Sequence, residues 1–378
     1  MKLFSTLRPL GRAGLSLSVV GILTLLIVQT SAASPPAANS IYLPLVTRQE
    51  PKGIWLDERE ILALPTSGVA WERLQKAANQ ATGTPTLGDQ DSATNVQVLA
   101  KALVYVRTGE VHYQEEVLAA LRVITFENTE ANGRTLALGR ELAAYVIAAD
   151  LVKLSRVDPA LHEQFSRKLR ELLHKPLASS GTTSVGSLQQ THETRPNNWG
   201  THAGASRAAV AVYLGDWAEL ARTAQVFEGY LGNRTVYAGF AFHADSSWQA
   251  DPNQPVGINP QGSIKDGHNI DGALPEEMRR GGSFAWPPVE TGYAWEALQG
   301  GLVQAEILHR AGYDAYNWQD QALLRAVQFL DRLGWAPTAD DEWLIWLVNR
   351  AYGTDFPANP AARPGKNLGW TNWTHARP

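Results

Sequence analysis

The strongest constraint on this chain is a long run of apolar stripes at helical spacing, with no comparable series of strands between them. Residues 95–107 carry Val96, Leu99, Leu103 and Val106 on one face. Residues 113–125 follow a turn at Gly109, and 136–154 hold Leu138, Leu142, Tyr145, Val146 and Leu151. Residues 161–173 add Phe165, Leu169 and Leu172. Shorter pieces come earlier, at 61–64, stopped by Pro65, and at 69–78, where Trp71 and Leu74 stand three apart. Helices are expected again at 201–214, 217–231, 289–310, 323–333 and 344–352. Amphipathic helices joined by modest loops pair as antiparallel hairpins, and hairpins bury their remaining apolar faces by stacking. The expected fold class is all-α. No linker-like break after Gly53 divides 54–378, so one domain is expected there.

Composition narrows what such a stack can do. The first 33 residues read as a signal peptide. Lys2, Arg8 and Arg12 precede the apolar run 15–28, which is short for a membrane span, and Ser31, Ala32 and Ala33 supply small residues for cleavage near Ala33. An exported protein with no integral span in its mature form is expected. Residues 34–53 read as a tether with one apolar patch at 42–46. The formal net charge is −4, and the leader holds three of the cations, so the rest is more acidic still. That disfavours general nucleic-acid or anionic-membrane binding. The absence of cysteine excludes disulfides, thiolate catalysis and thiolate metal sites. Thirteen tryptophans suit either sugar platforms or helical cores. Nothing in the sequence speaks to oligomeric state.

Two regions break the helical rhythm. Residues 176–198 have little periodicity and lead into the motif RPNNWGTHAGASR, which begins at Arg195. Residues 233–283 are longer and polar, with short antiparallel strands expected near 236–242. Loops held on a rigid scaffold are common places for binding and catalytic residues, and a loop this long inside a domain needs a reason, such as forming a cleft wall. The tail from Phe356 lacks helical period and is expected to pack across the domain surface.

Each candidate has a functional and a structural reading. Asn197 and Asn198 either donate amide hydrogens to a substrate or cap a helix. His202 shares a helix face with Asn198 and is either a general base or a hydrogen-bonded structural residue. Arg207, on the far side, is expected to form an ion pair near Asp216. Arg279 and Arg280 either grip an acidic sugar or pair locally with Glu276 and Glu277. Tyr293, with Glu290 and Trp286 just upstream, either donates a proton to a leaving oxygen or anchors its hydroxyl in the core. His268 rivals His202 as a base. Trp199, Trp248, His192 and His243 are further candidates for substrate contact. The spacing of His192, His243 and His268 with Asp245 and Asp271 matches no tight metal motif. There is no nucleotide-binding glycine loop and no nucleophile-elbow pentapeptide, so no metal or cofactor is expected.

At RPNNWGTHAGASR, DGALPEEMRRGG and ETGYAWEALQGG the chain resembles the alginate lyase superfamily of polysaccharide lyases, over most of its length from about Trp55. The resemblance implies an incomplete (α/α) toroid of stacked helical hairpins, with the long irregular segment forming part of the cleft. It also implies an exported enzyme that splits an acidic polysaccharide by β-elimination without a cofactor. Carried onto this chain, Asn198, with Asn197 beside it, and Arg279 or Arg280 would neutralise a uronate carboxylate, and Tyr293 would protonate the departing oxygen. The family pattern places a histidine directly after the paired asparagines, where this chain has Trp199; the nearest downstream histidine is His202. The familiar tyrosine also follows the Arg-Gly pair more closely than Tyr293 follows Gly281. These departures weaken a simple assignment of alginate and fit a divergent branch acting on glucuronan or another uronate polymer. Two other readings remain: a glycoside hydrolase using opposed carboxylates among Asp271, Glu276 and Glu290, and a noncatalytic carbohydrate-binding protein.

Overall fold

The computed structural model describes residues 52–178 and 185–376. The expected signal peptide, and the tether as far as residue 51, lie outside them. The first helices are α1 (Glu58–Leu62), α2 (Val69–Ala78), α3 (Thr94–Thr108) and α4 (Val111–Phe126). They are followed by α5 (Thr135–Leu151), α6 (Leu154–Val157) and α7 (Pro159–His174). A two-residue antiparallel ladder, β1 (Leu177–Ala178) with β2 (Val185–Gly186), leads to α8 (Leu188–Thr194), α9 (Asn198–Leu214) and α10 (Trp217–Leu231). Residues 232–274 hold only the hairpin β3 (Ile264–Lys265) and β4 (His268–Asn269). The rest comprises α11 (Pro275–Met278), a 3₁₀ turn at Arg279–Gly281, α12 (Tyr293–Arg310), α13 (Trp318–Arg332), a second 3₁₀ turn at Ala339–Asp341, α14 (Leu344–Tyr352) and α15 (Thr371–Thr374). The predominantly helical architecture and its extensive helix–helix packing fit a stacked (α/α) toroid-like fold. No described helix is long and apolar enough to cross a membrane.

Helix α9 sits at the centre. Its residues Gly200, Ala203, Gly204, Ala205, Ala208, Ala209 and Ala211 are small, and the helix is buried on nearly every side through Ala211. A helix without a polar face belongs inside a core. Helices α5 and α12 pack against it most extensively. The small residues explain how closely they approach. A Cβ added at Gly139 of α5 would stand 2.8 Å from Ala203 N, and one at Gly300 of α12 would stand 2.3 Å from the Thr201 carbonyl carbon. The backbones touch where only hydrogen fits. Ser206 fixes the α5–α9 register by donating to Gly139 O at 2.7 Å and accepting from Ala143 N at 3.0 Å.

Several local expectations are corrected. Residues 236–242 form no strand. The stretch 176–198 is not structureless: Ser187 caps α8 by accepting from Gln190 N at 3.1 Å. Helix α9 begins at Asn198, three residues before the apolar period starts, because Asn197 caps it. Helix α12 begins at Tyr293, not at 289, so Glu290 lies in the approach loop. The tail does not lie across the surface. Trp370 donates to Val96 O at 2.9 Å and Trp373 to Pro65 O at 2.8 Å, and Leu368, Trp370, Trp373 and His375 are all buried. Trp373 meets Trp71 at 5.3 Å between centroids, and His375 meets Trp55 at 4.9 Å. The tail is an irregular strap held by indole and amide bonds, which leave no repeating stripe to read.

Candidate active site

The N-terminus of α9, the start of α12, part of α5 and the tail enclose one cavity of about 440 Å³. Asn198, Trp199, Arg280 and Tyr293 all line it, so residues from three separate motifs border one cavity. Asn197 serves as the α9 cap, accepting from Trp199 N at 3.1 Å. That frees Asn198 from capping. Its backbone N–H donates to Glu277 Oε1, while its buried carboxamide oxygen has no partner among the described residues. An amide left uncommitted in a buried wall costs about 1–3 kcal/mol unless a ligand completes it. Arg280 forms no ion pair with any described residue; its guanidinium lies over the Tyr293 ring, 3.9 Å from the centroid. Arg195, which does not line this cavity, covers the Trp199 ring at 4.5 Å.

Further charge comes from residues that, Glu296 apart, lie outside the three sequence motifs. Arg134, Arg140 and Lys366 join Arg280, facing the carboxyls of Asp91, Glu296 and Asp341. Arg140 is paired with Glu296, and Lys366 Nζ stands 3.5 Å from Glu296 Oε1 and 3.3 Å from Asp91 Oδ1. Burial raises the Glu296 carboxyl, but His202, Arg140 and Lys366 outweigh it and hold it at about 2. Asp341 behaves in the opposite way: burial, reinforced by Glu296 and Asp340 against the Gln299 hydrogen bond and Lys366, pushes it up to about 7. Asn95 of α3 accounts for Lys366 being here, since its Nδ2 donates to Lys366 O at 2.8 Å and draws the tail onto the cavity. One signal for these residues was visible. Arg140 and Glu141 interrupt an otherwise apolar helix, and charge inside a buried helix asks for a partner. Asp341 and Lys366 carried no such signal, because long-range packing brings them in.

The remaining candidates lie elsewhere. His202 is fully buried beneath the cavity, with Nε2 3.6 Å from Glu296 Oε2 and neither ring nitrogen hydrogen-bonded to a described residue. Burial, with the Arg140 charge, lowers it to about 4 despite Glu296, so the ring is neutral. His192 is buried between α8 and α9, its Nδ1 3.2 Å from Arg207 Nη1; burial and that cation hold it well below the usual histidine range. Arg207 is itself buried and paired with Glu219 at 2.6 Å and Glu193 at 3.1 Å. His243 and Arg279 line a neighbouring pocket with Asn197, and Arg279 Nε bonds Glu276 at 2.9 Å. Trp248 is a core residue donating to Gly282 O at 3.0 Å. His268 stacks on Trp286 at 4.6 Å, and neither borders the Asn198 cavity, nor does the exposed Glu290. Asp271 is tied to Arg325 at 2.5 Å. Asp271, Glu276 and Glu290 therefore do not face one another across this cavity. Among the described residues, no group of three or more His, Asp or Glu is placed to hold a metal ion.

Comparison with known proteins adds the following. Residues 75–243 match the family described as alginate lyase. The match takes in Asn198 and ends before Arg280 and Tyr293. Among solved structures, the chain is similar to the crystal structure of alginate lyase A1-III from Sphingomonas species A1, at 14% identity over 85% of this chain and 91% of that one, with a TM-score of 0.49. It is similar in the same measure to a histidine-to-alanine variant of alginate lyase A1-III complexed with tetrasaccharide, at 14% identity, 85% and 91% coverage and a TM-score of 0.48. No curated protein matches the sequence. The family match spans the helices from α3 to α10 and takes in the Asn198 motif.

Proposed function

We propose that the protein is an exported polysaccharide lyase that cleaves a uronic-acid polymer, such as alginate or glucuronan, by β-elimination. The observation that carries this reading is one cavity lined by Asn198, Arg280 and Tyr293, in which the Asn198 carboxamide oxygen has no hydrogen-bond partner and Arg280 no ion pair among the described residues. A C5 proton next to an ionised carboxylate is a poor acid. Asn198 and Arg280 neutralise that carboxylate and accept the charge that develops on it, and such preorganised donors often supply the largest catalytic contribution. The positive end of α9 points the same way. Tyr293 donates its hydroxyl proton to the departing O4. The mechanism requires no cofactor.

A hydrolase reading has one observation in its favour. Glu296 and Asp341 border the same cavity with carboxyls held at about 2 and about 7, the divergence expected of a base and an acid. One assay separates the two. Purified protein is incubated with alginate, glucuronan, other uronate polymers and neutral glucans, while ultraviolet absorbance of unsaturated uronates and new reducing ends are both followed. Absorbance growing with chain cleavage is expected. Reducing ends without absorbance would replace the lyase with the hydrolase, and silence on every polymer would leave a carbohydrate-binding protein.

A further inference from the structure

The lyase reading leaves the proton acceptor unassigned. Trp199 occupies the position next to Asn198, and the neighbouring imidazole, His202, is sealed beneath the cavity floor. A base must reach the proton it removes, directly or through one water. Among the carboxyls on the cavity walls, Glu296 has both oxygens engaged by cations, Oε2 by Arg140 and Oε1 by Lys366. Asp91 is largely exposed and paired with Lys366. Asp341 differs from both. Its Oδ1 is pinned by Gln299 Nε2 at 2.7 Å, from a fully buried glutamine of α12, while Oδ2 has no hydrogen-bond partner among the described residues. One oxygen thus fixes the carboxyl of a residue that lines the cavity, and the other is left uncommitted.

Resting on the lyase reading, we propose that Asp341 is the catalytic base of this site, taking the C5 proton of the uronate whose carboxylate Asn198 and Arg280 hold. Oδ2 accepts the proton. The C5–H electron pair becomes the second bond of C4=C5, and the C4–O4 bond breaks with its pair leaving on oxygen. O4 takes the Tyr293 hydroxyl proton. Solvent then reprotonates Tyr293 and accepts the proton from Asp341, which restores both. The surroundings of Asp341 favour proton abstraction. Burial above all, then Glu296 of α12 and the adjacent Asp340, raise its affinity for a proton, while the Gln299 amide and Lys366 from the tail oppose them. A carboxyl poised near neutrality is a far better base than one as acidic as Glu296.

The test compares wild type with Asp341→Asn, which keeps the shape and the Gln299 contact. Elimination is expected to fall by about 10²–10⁴-fold in kcat with little change in KM. The wild-type kcat/KM is expected to rise with pH through about 7. Carboxyl-carbon NMR of the unliganded protein, which needs no substrate, is expected to show a resonance titrating near 7 that Asp341→Asn removes. Asp341→Glu, with the same charge, is expected to recover part of the rate. A wild type that eliminates, with Asp341→Asn equally active or the Asp341 carboxyl titrating below 5, overturns the assignment and leaves the lyase standing. A wild type that forms no unsaturated product overturns both.

Discussion

Tyr293→Phe removes one oxygen from a ring that Arg280 already holds by its face. The cation–ring contact survives the change, so the fold and substrate binding are expected to persist. Elimination is expected to drop by about 10²–10⁴-fold, as for loss of a general acid. Full activity in the variant, read by unsaturated-product absorbance, would remove Tyr293 from the mechanism. A second residue-scale prediction concerns Glu141, fully buried with neither carboxyl oxygen hydrogen-bonded to a described residue. Burial, with Asp89 and Asp91 against Arg140, pushes its carboxyl to about 10. The folded chain therefore keeps a proton that the unfolded chain loses above about 4.5, and stability falls as pH rises from there towards 10. Glu141→Gln abolishes that titration. It is expected to stabilise the protein by on the order of a few kcal/mol at pH 8 and to have little effect at pH 4, by denaturant unfolding at both pH values. Asn197 and Asn198 show how far residue chemistry was legible: the cap reading holds for Asn197, while Asn198 is left uncommitted. No rule of sequence says which of two adjacent asparagines caps, because the answer depends on where the helix starts.

At the scale of elements, the α5–α9–α12 packing holds the site. Gly300 meets the Thr201–His202 peptide, one turn above Asn198. Gly300→Ala forces α12 away from α9 and is expected to cost about 1–3 kcal/mol, as overpacking does. Tyr293 and Glu296 ride on α12 and Asn198 on α9. The same variant is therefore expected to lose lyase activity in excess of its unfolded fraction, measured by thermal melts beside product absorbance at a temperature where it is folded. The helices themselves were legible because a buried stripe repeats every three to four residues. Their starts were less so. The 289 start expected for α12 failed because the segment before Tyr293 is a polar approach loop, and the 201 start for α9 failed because its first turn faces a cavity and is polar.

Across the whole molecule, the tail closes the stack. It joins α2 and α3 to the end of the chain through Trp373 on Trp71 and Trp370 on Val96 O, and it delivers Lys366 to the cavity. Trp373→Ala empties a fully enclosed indole site and is expected to destabilise the fold by about 3–5 kcal/mol, seen as a lower midpoint in urea. An unchanged midpoint would show that the tail is not part of the cooperative unit.

Much of this organisation was determined by sequence alone. Helical periodicity determined the all-α stack, the charge and missing cysteines excluded whole classes of chemistry, and two short motifs placed Asn198 and Arg280 among the candidates. Tertiary structure decided which candidates meet. It set Asn198, Arg280 and Tyr293 around one cavity, buried His202 and His192, sent Trp248 into the core, and brought Asp341 and Lys366 in from segments with no helical period. The division has a physical cause. Periodicity records which face of a local element is buried, and that is written over a few turns of chain. Basicity and access depend largely on charges and burial supplied from far along it: for Asp341, Gln299, Glu296 and Lys366 are all remote in sequence, and Asp340 alone is a neighbour.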